Sequence, residues 1–137
     1  MEHIWQTVLV GFPVLIYHLS LTIGLFVIGL LVYVKVTPHH EFKLVRDGNQ
    51  AAGVSLSGVV IGLALPLAVS MAASINEFDI LFWGGVIVVL QLIVFVAAHL
   101  VLRDISQRIE NGEMASAWVL FSFNIALALF VSAAIAG

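Results

Sequence analysis

The sequence predicts an all-α membrane protein with four bilayer-spanning helices. Of its 137 residues, 62% are hydrophobic and 9% are charged, whereas a soluble domain carries about 25% charged residues. The apolar residues fall in four blocks, each long enough for the roughly 20-residue helix that crosses a hydrocarbon core. The blocks lack the apolar-polar alternation of barrel strands, so helices are the structure that satisfies their backbone in lipid.

The first apolar block is the longest and predicts two segments. One straight helix over residues 4–36 would be about 50 Å long, which exceeds a hydrocarbon core of about 30 Å. We therefore expect residues 3–12 to form an interfacial helix, with Trp5 at headgroup depth, and residues 13–36 to span the bilayer, beginning at Pro13. The N-terminus lacks the basic region and cleavage site of a signal peptide, so we expect this anchor to be retained.

The other three blocks predict the remaining spans, at about residues 51–74, 80–102 and 115–136. The four spans contain one charged side chain, Lys35, at a helix end from which it can reach the headgroups. Pro66 is expected to kink the second span, with Ser70 and Ser74 bonding carbonyls that it frees.

Charge predicts the orientation of the spans. Every Lys and Arg of the chain lies in two of the three connections, namely Lys35, Lys43, Arg46, Arg103 and Arg108. The remaining connection, residues 75–79, holds Glu77 and Asp79 and no basic residue. Because short basic loops stay in the cytoplasm, we expect the two basic connections to be cytoplasmic and both termini to lie outside.

A shift of 64 residues superimposes the two halves of the chain, which predicts a duplicated helical hairpin. Residues 45–52 then fall on residues 109–116, with a charged segment, a glycine and small residues in the same order. The chain would be one membrane domain, residues 1–137, built of two repeats at about 13–74 and 80–137. Each repeat contains two spans, so the repeats should have the same orientation and be related by an axis along the membrane normal.

The two basic connections predict short interfacial helices, with tight loops as the alternative. Thr37 is placed to cap the first helix, with Pro38 at its first helical position. Asp104 and Gln107, three residues apart, resemble a capping box for the second helix.

Gly48 and Gly112 stand at equivalent positions in the two halves, where the short helices would end. Helices often end in a left-handed residue, a conformation that glycine adopts without steric cost. The polar residues around these glycines form the expected cytoplasmic interaction loops, namely Arg46, Asp47, Asn49, Arg108 and Glu110.

Residues 38–53 and the span that follows resemble the bacterial DUF350 family, also called YjfL or UPF0719. The resemblance rests on a charged segment, the sequence GNQAA at residues 48–52, and LALP at residues 63–66. It extends over residues 17–137, with Gly53 where a third alanine is expected. The resemblance implies an inner-membrane protein, sometimes encoded near membrane-stress proteins of the phage-shock type. It implies no established activity and no catalytic residue.

Polar side chains within the spans are the candidates for function, and the main ones are His18, Gln91 and Asn124. The simpler interpretation is interhelical hydrogen bonding, worth about 0.6–2 kcal/mol per contact in a membrane. The alternative is that they line a polar pathway, in which rings of amides around an oligomer axis form a narrow pore. No Asp or Glu lies within a span, which disfavours a proton-driven transporter.

The histidines give a weaker indication of a metal or haem site. His18 and His99 fall near opposite membrane faces, too far apart to bind one haem iron within a chain. His39 and His40 are adjacent, so on a helix their side chains point about 100° apart, which leaves a meeting with His99 at the cytoplasmic interface as the alternative. The chain has no cysteine, and we expect no cofactor and no metal.

The second span carries small residues suited to close helix contact, namely Gly53, Ser57, Gly58 and Gly62. Small residues four positions apart let two membrane helices approach closely. The fourth span is likewise rich in alanine and serine, and the repeat places the two spans equivalently, so we expect both at the tightest helix contacts.

These features favour a small membrane protein that oligomerises and acts as a structural or interaction component of the bacterial inner membrane. The resemblance adds a link to membrane stress, and the expected partners are the lipid bilayer, further copies of the chain and a cytoplasmic protein. The alternative is an oligomeric ion or small-solute channel with a polar axis. An enzyme is not expected, because the sequence has no nucleophile–base pair, HExxH motif or phosphate loop. Nucleic-acid binding is disfavoured by a net charge of −3 without a basic face.

Overall fold

The computed structural model describes residues 1–37, 40–74, 76–102 and 104–137, without the side chains of Phe95 and His99. The described residues form six helices and no strand: α1 Glu2–Val36, α2 Glu41–Arg46, α3 Gln50–Ala73, α4 Glu77–Val101, α5 Ile105–Glu110 and α6 Met114–Ala136. Four of them, α1, α3, α4 and α6, are long and apolar enough to cross a membrane. The predicted all-α class is therefore confirmed, with four candidate membrane-spanning helices.

Helix α1 is continuous, and the predicted helix start at Pro13 is wrong. The helix runs over 35 residues with Pro13 inside it, a length of about 50 Å. The proline leaves the carbonyl of Leu9 without its helix partner. Ending the helix there would instead leave several carbonyls and several N–H groups unpaired. Continuing is the less costly arrangement, and the depth of residues 3–12 in a bilayer stays a prediction.

Helix α3 is the centre of the bundle. It packs against α1, α4 and α6, and its contact with α6 is the most extensive between any two helices of the described chain. Val59, Leu63 and Leu67 of α3 and Leu120 of α6 are buried in this core. The second and fourth spans are therefore both at a close helix contact, as expected.

The first half of α1 lies outside this packing. Residues 1–17 are all exposed, and the buried residues of the helix are Thr22, Gly29 and Tyr33. Helix α1 therefore joins the bundle through its second half, against α3 and α4.

The short helices α2 and α5 end in the same way. The N–H of Asn49 donates to the carbonyl of Leu44, and the N–H of Glu113 donates to that of Arg108, both at 2.9 Å. The glycine before each donor is left-handed, with φ of 86° at Gly48 and 81° at Gly112. This is the Schellman motif, so the predicted left-handed glycines are confirmed.

The predicted N-terminal caps of the short helices are wrong. The Thr37 hydroxyl donates to the carbonyl of Tyr33 at 2.6 Å and so ends α1. His40 precedes α2 instead, and Pro38 lies outside the described residues. Asp104 does precede α5, but with φ of 58° its side chain makes no capping hydrogen bond. A left-handed residue turns its side chain away from the geometry that a capping box requires.

The two ends of the bundle differ in charge. We call the end that carries α2 and α5 the basic end, because all Lys and Arg residues flank or belong to these segments in the sequence. The opposite end carries the start of α4, with Glu77 and Asp79, and the C-terminal Gly137; we call it the acidic end.

Candidate functional site

Among the described residues, side-chain amides join the helices at two places, one in the middle of the bundle and one at the basic end. The first, which we call the amide cluster, comprises Gln91, Asn124 and the backbone of Gly62. The second, which we call the loop clasp, is made by the side chain of Asn49 between α3 and α5.

The amide cluster begins with a defect in α3. Pro66 has no N–H, so the carbonyl four residues earlier, at Gly62, loses its helical donor. The Nε2 of Gln91 in α4 donates to this carbonyl at 2.7 Å, and the Gln91 side chain is buried. The amide of α4 thus replaces the hydrogen bond that Pro66 removes. Ser70 and Ser74 do not take this role, because the Ser74 hydroxyl bonds the carbonyl of Ser70 and the Ser70 hydroxyl bonds none of the described residues.

Gly62 leaves room for this bond. A Cβ at this position would lie 3.0 Å from the Nε2 of Gln91 and 3.2 Å from its Oε1. It would also lie 3.3 Å from the backbone carbonyl of Asn124 in α6. Three helices therefore meet at one glycine, and a larger residue there would displace the amide.

Asn124 is fully buried beside this glycine. Its Nδ2 donates to the carbonyl of Leu120 in its own helix at 3.1 Å. The Oδ1 of Asn124 and the Oε1 of Gln91 have no hydrogen-bond partner among the described residues. The cluster consists of amide groups alone, so it can orient dipoles and accept hydrogen bonds but cannot transfer protons.

His18 is not part of the amide cluster. A Cβ at Gly29 of α1 would lie 3.5 Å from the Leu63 side chain, which places Gly29 level with the cluster. His18 lies eleven residues earlier, about 16 Å along the helix. It is half-buried, with its ring centroid 6.2 Å from that of Tyr17.

The small residues of α3 divide between two faces. A Cβ at Gly58 would lie 2.8 Å from the Cα of Phe121, so Gly58 and Gly62 are in the close contact with α6. A Cβ at Gly53 would meet nothing within 4 Å, and Ser57 is exposed, with its hydroxyl bonded to the Gly53 carbonyl. The pairs differ because residue 58 is rotated about 100° from residue 57 on a helix.

The loop clasp connects the two basic loops. The Oδ1 of Asn49 accepts from the N–H of Ala52 at 3.0 Å and caps α3. Its Nδ2 donates to the carbonyls of Ile109 at 2.9 Å and Glu110 at 3.1 Å. The last carbonyls of a helix lack partners within it, so one side chain satisfies the beginning of α3 and the end of α5.

Position 113, which the 64-residue shift aligns with Asn49, uses different chemistry. The Glu113 carboxylate accepts from the Ser116 hydroxyl at 2.8 Å and from the Arg108 guanidinium at 3.2 Å. The Arg108–Glu113 pair is partly exposed, as are the neighbouring charges; Arg46, Asp47 and Glu110 are exposed. These side chains form a charged surface at the basic end.

One buried acid was missed by the sequence analysis. Glu41, the first residue of α2, is fully buried and interacts electrostatically with the buried Tyr33 of α1. In the sequence Glu41 stands among charged residues that resemble a solvated surface. Its burial could have been predicted from two features of the sequence. Glu41 is the first residue of a short helix, and the preceding span ends close to an aromatic residue, Tyr33.

The described residues contain no group of three His, Asp or Glu side chains placed to hold a metal ion. His40 is exposed before α2, whereas His39 and the side chain of His99 lie outside the described part.

Comparison with known proteins gives one family. The family described as Domain of Unknown Function (DUF350) matches residues 7–135. The chain is 31% identical over 111 residues to the UPF0719 inner membrane protein YjfL of Escherichia coli (strain K12), covering 81% of this chain and 84% of that protein. It is 27% identical over 137 residues to the UPF0719 transmembrane protein YshE of Bacillus subtilis (strain 168), covering 98% of this chain and 100% of that protein. No solved structure matches the chain.

Proposed function

The chain belongs to the DUF350 family, and from this premise we propose that it is an oligomerising structural and interaction component of the bacterial inner membrane. It is a small integral membrane protein with four candidate spans. The relatives named as inner membrane and transmembrane proteins support the location. The orientation proposed from charge, with both termini outside, places the basic end in the cytoplasm.

The observation that carries oligomerisation is an unused pair of small residues. Gly53 and Ser57 line a groove between α3 and α6 together with Met114 and Trp118, and no helix that the structure describes lies against Gly53 there. A small pair four residues apart permits close packing of another membrane helix. A second copy of the chain supplies such a helix.

The amide cluster supports this function over the oligomeric channel. Gln91 and Asn124 lie inside one bundle, on helix contacts, so they are not available to form rings around an axis between copies. The channel alternative would have to use the free acceptors Oε1 and Oδ1 along a path within one chain. It predicts solute flux in proteoliposomes that changes on Gln91→Leu, and the structural function predicts silent bilayers.

Disulfide crosslinking tests the oligomer. The chain has no cysteine, so each single substitution introduces the only thiol. Ser57→Cys is expected to give crosslinked dimers on mild oxidation in native membranes. The matched control is Ser20→Cys, since Ser20 is also an exposed serine bonded to the carbonyl four residues earlier. Equal dimer yields from the two variants, or none from Ser57→Cys, would remove the proposed contact.

The interaction role rests on the exposed charges at the basic end. Joint replacement by alanine of Arg46, Asp47, Arg108 and Glu110 is expected to abolish capture of a cytoplasmic partner from membrane-stressed cells. Membrane insertion should persist, because none of the four is buried. Replacing Glu77 and Asp79 at the acidic end is the matched control, and unchanged capture after the fourfold replacement contradicts the role.

A further inference from the structure

A cavity of about 340 Å³ lies between α3, α4 and α6 at the acidic end. Its walls are mostly apolar and include Ile87, Leu90 and Val131. Its polar lining comes from Ser70 and Ser74 of α3 and from Asp79 and Trp83 of α4. A volume of this size is within the range of about 300–1,000 Å³ that small-ligand sites occupy.

Asp79 is the charged residue among those that line the cavity, and its carboxylate is negative. The first turn of α4 fixes this residue, because its N–H donates to the Asn76 side chain at 3.1 Å. No Lys or Arg belongs to the sequence around the acidic end, since all of them lie in the two basic connections. A cation that enters the cavity therefore meets a carboxylate and no basic side chain.

An unsatisfied hydroxyl points to a ligand. Ser70 is 1% exposed and lines the cavity, yet its Oγ has no hydrogen-bond partner among the described residues. A buried polar group without a partner costs about 1–3 kcal/mol. The hydroxyl lies about one helical turn from the end of α3, close to the level of Asp79 at the beginning of α4.

Trp83 adds an aromatic face one turn below Asp79. Indole is the best of the aromatic side chains at attracting a cation. Asp79, Ser70 and Trp83 thus surround the upper part of the cavity, while Ile87 and Leu90 continue its apolar wall about two further turns towards the amide cluster.

We propose that this cavity binds an amphiphile that carries an ammonium group. The ammonium group lies between Asp79 and Trp83 and donates to Asp79 and Ser70, and the apolar body lies against Ile87, Leu90 and Val131. The chemistry is shared by soluble organic amines and by the ethanolamine headgroup of a phospholipid. A hard metal ion fits less well, because it takes six or more oxygen ligands and most of this wall is hydrocarbon. The site is separate from the contacts that carry the proposed oligomeric role.

Trp83 fluorescence measures the binding. Trp5→Phe and Trp118→Phe leave Trp83 as the only indole of the full chain, which is purified in dodecyl maltoside, an uncharged detergent without ammonium. Benzylammonium is expected to give a saturable change, and benzyl alcohol, its uncharged counterpart, is not. An equal response to the two probes, or no saturable response, overturns the proposal.

A matched pair of charge variants tests Asp79. Asp79→Asn is expected to weaken benzylammonium binding about tenfold, because it removes a partly buried charge partner. Glu77→Gln removes the same charge two residues earlier, outside the cavity lining, and should change binding by less than about twofold. Equal effects of the two substitutions contradict a site at Asp79.

Thiol protection gives a second readout that does not need Asp79 to be changed. Ser74→Cys places the only thiol of the chain at a half-buried position of the cavity wall, and benzylammonium should slow its reaction with a methanethiosulfonate reagent. The thiol of Ser20→Cys, exposed on α1, should react at the same rate with and without the probe. Equal protection at both positions, or none at either, overturns the proposal.

Added lipid distinguishes the two sources of ammonium. Displacement of benzylammonium by phosphatidylethanolamine but not by phosphatidylglycerol assigns the site to a lipid headgroup. If neither lipid displaces the probe while the other tests hold, the ligand is a soluble amine. Equal displacement by both lipids shows that the acyl chain alone is recognised and contradicts the proposed role of the ammonium.

Discussion

Pro66 leaves a backbone carbonyl of α3 without its helical donor, and Gln91 supplies a donor in its place. The proline removes an N–H from α3, and the Gln91 amide donates to the carbonyl that is left. The sequence alone does not link Pro66 to Gln91, because the two residues lie 25 positions apart on different helices. Their contact fixes the register of α4 against α3 at the centre of the bundle.

A double-mutant cycle tests this pair. Gln91→Leu alone is expected to lower the free energy of unfolding by about 1–2 kcal/mol, since it leaves the Gly62 carbonyl without a donor. In a Pro66→Ala background α3 supplies its own N–H, so the same substitution should cost much less. Unfolding in mixed micelles measures both values, and identical costs in the two backgrounds would show that the bond to Gly62 is not what Gln91 contributes.

Sequence reasoning found the polar residues but not their partners. Gln91 and Asn124 stand out because an amide in an apolar span is rare, and that signal is local. Which carbonyl each amide contacts depends on how the helices are rotated about their axes. The spans are almost uniformly apolar, so their sequences have little periodicity from which this rotation could be predicted. From the sequence, Pro66 predicts that a carbonyl of α3 loses its helical donor. The sequence does not show which group replaces that donor, and nearby serines were the expected ones.

At the scale of elements, the hydrogen bonds of Asn49 explain why the GNQAA sequence has an asparagine at this position. Its side chain acts at once as the cap of α3 and as a donor to the end of α5. Both halves of the amide are used, and therefore neither aspartate nor serine reproduces the arrangement. The contact makes the two basic loops one unit.

Substitution at Asn49 separates its two roles. Asn49→Asp keeps a good capping acceptor but loses the donor and places a negative charge beside two carbonyls. Asn49→Ala loses both and should cost about 1–2 kcal/mol of unfolding free energy. We expect aspartate to recover less than half of this loss. Thermal unfolding measures it, with Gln50→Ala, an exposed neighbour, as control; full recovery by aspartate contradicts the clasp.

The ends of the elements were predictable to different degrees. Gly48 and Gly112 were found because a left-handed helix end almost requires glycine. The caps at Thr37 and Asp104 were not, because serine, threonine and aspartate bond many nearby backbone groups and sequence does not choose among them. The continuity of α1 through Pro13 emerged only from the structure, because a proline is compatible both with the first position of a helix and with an interrupted helix interior.

At the scale of the whole molecule, the separation of charge along the bundle predicts one orientation. Alkaline phosphatase fused after Gly137 is expected to be active, because that enzyme folds only outside the cytoplasm, and a green fluorescent protein at the same position should stay dark. Inserting each reporter in the loop after Arg108 should reverse the pattern. A fluorescent C-terminal fusion would show that the topology is the reverse of the predicted one. The cavity at the acidic end would then lie at the cytoplasmic face.

The predicted duplication of a helical hairpin also belongs to the scale of the whole molecule, and it stays a prediction. The matched Schellman motifs at Gly48 and Gly112 agree with a duplication, whereas Asn49 and Glu113 have different partners. Pro66 has no counterpart in α6, where the shift aligns it with Phe130. Among the described residues, α3 is therefore interrupted and receives an amide from its neighbour, whereas the equivalent position of α6 has no proline.

The length of α1 has a consequence for the lipid around the protein. Its exposed first half carries apolar side chains on every side, including Leu9, Val10 and Phe12. A hydrophobic stretch longer than the local bilayer tilts, or thickens the bilayer around it, at a cost of a fraction of a kcal/mol per ångström. The other three candidate spans, α3, α4 and α6, are about 35 Å long and impose a much smaller mismatch. One flank of the molecule should therefore deform the bilayer, and the protein should favour regions of thicker membrane.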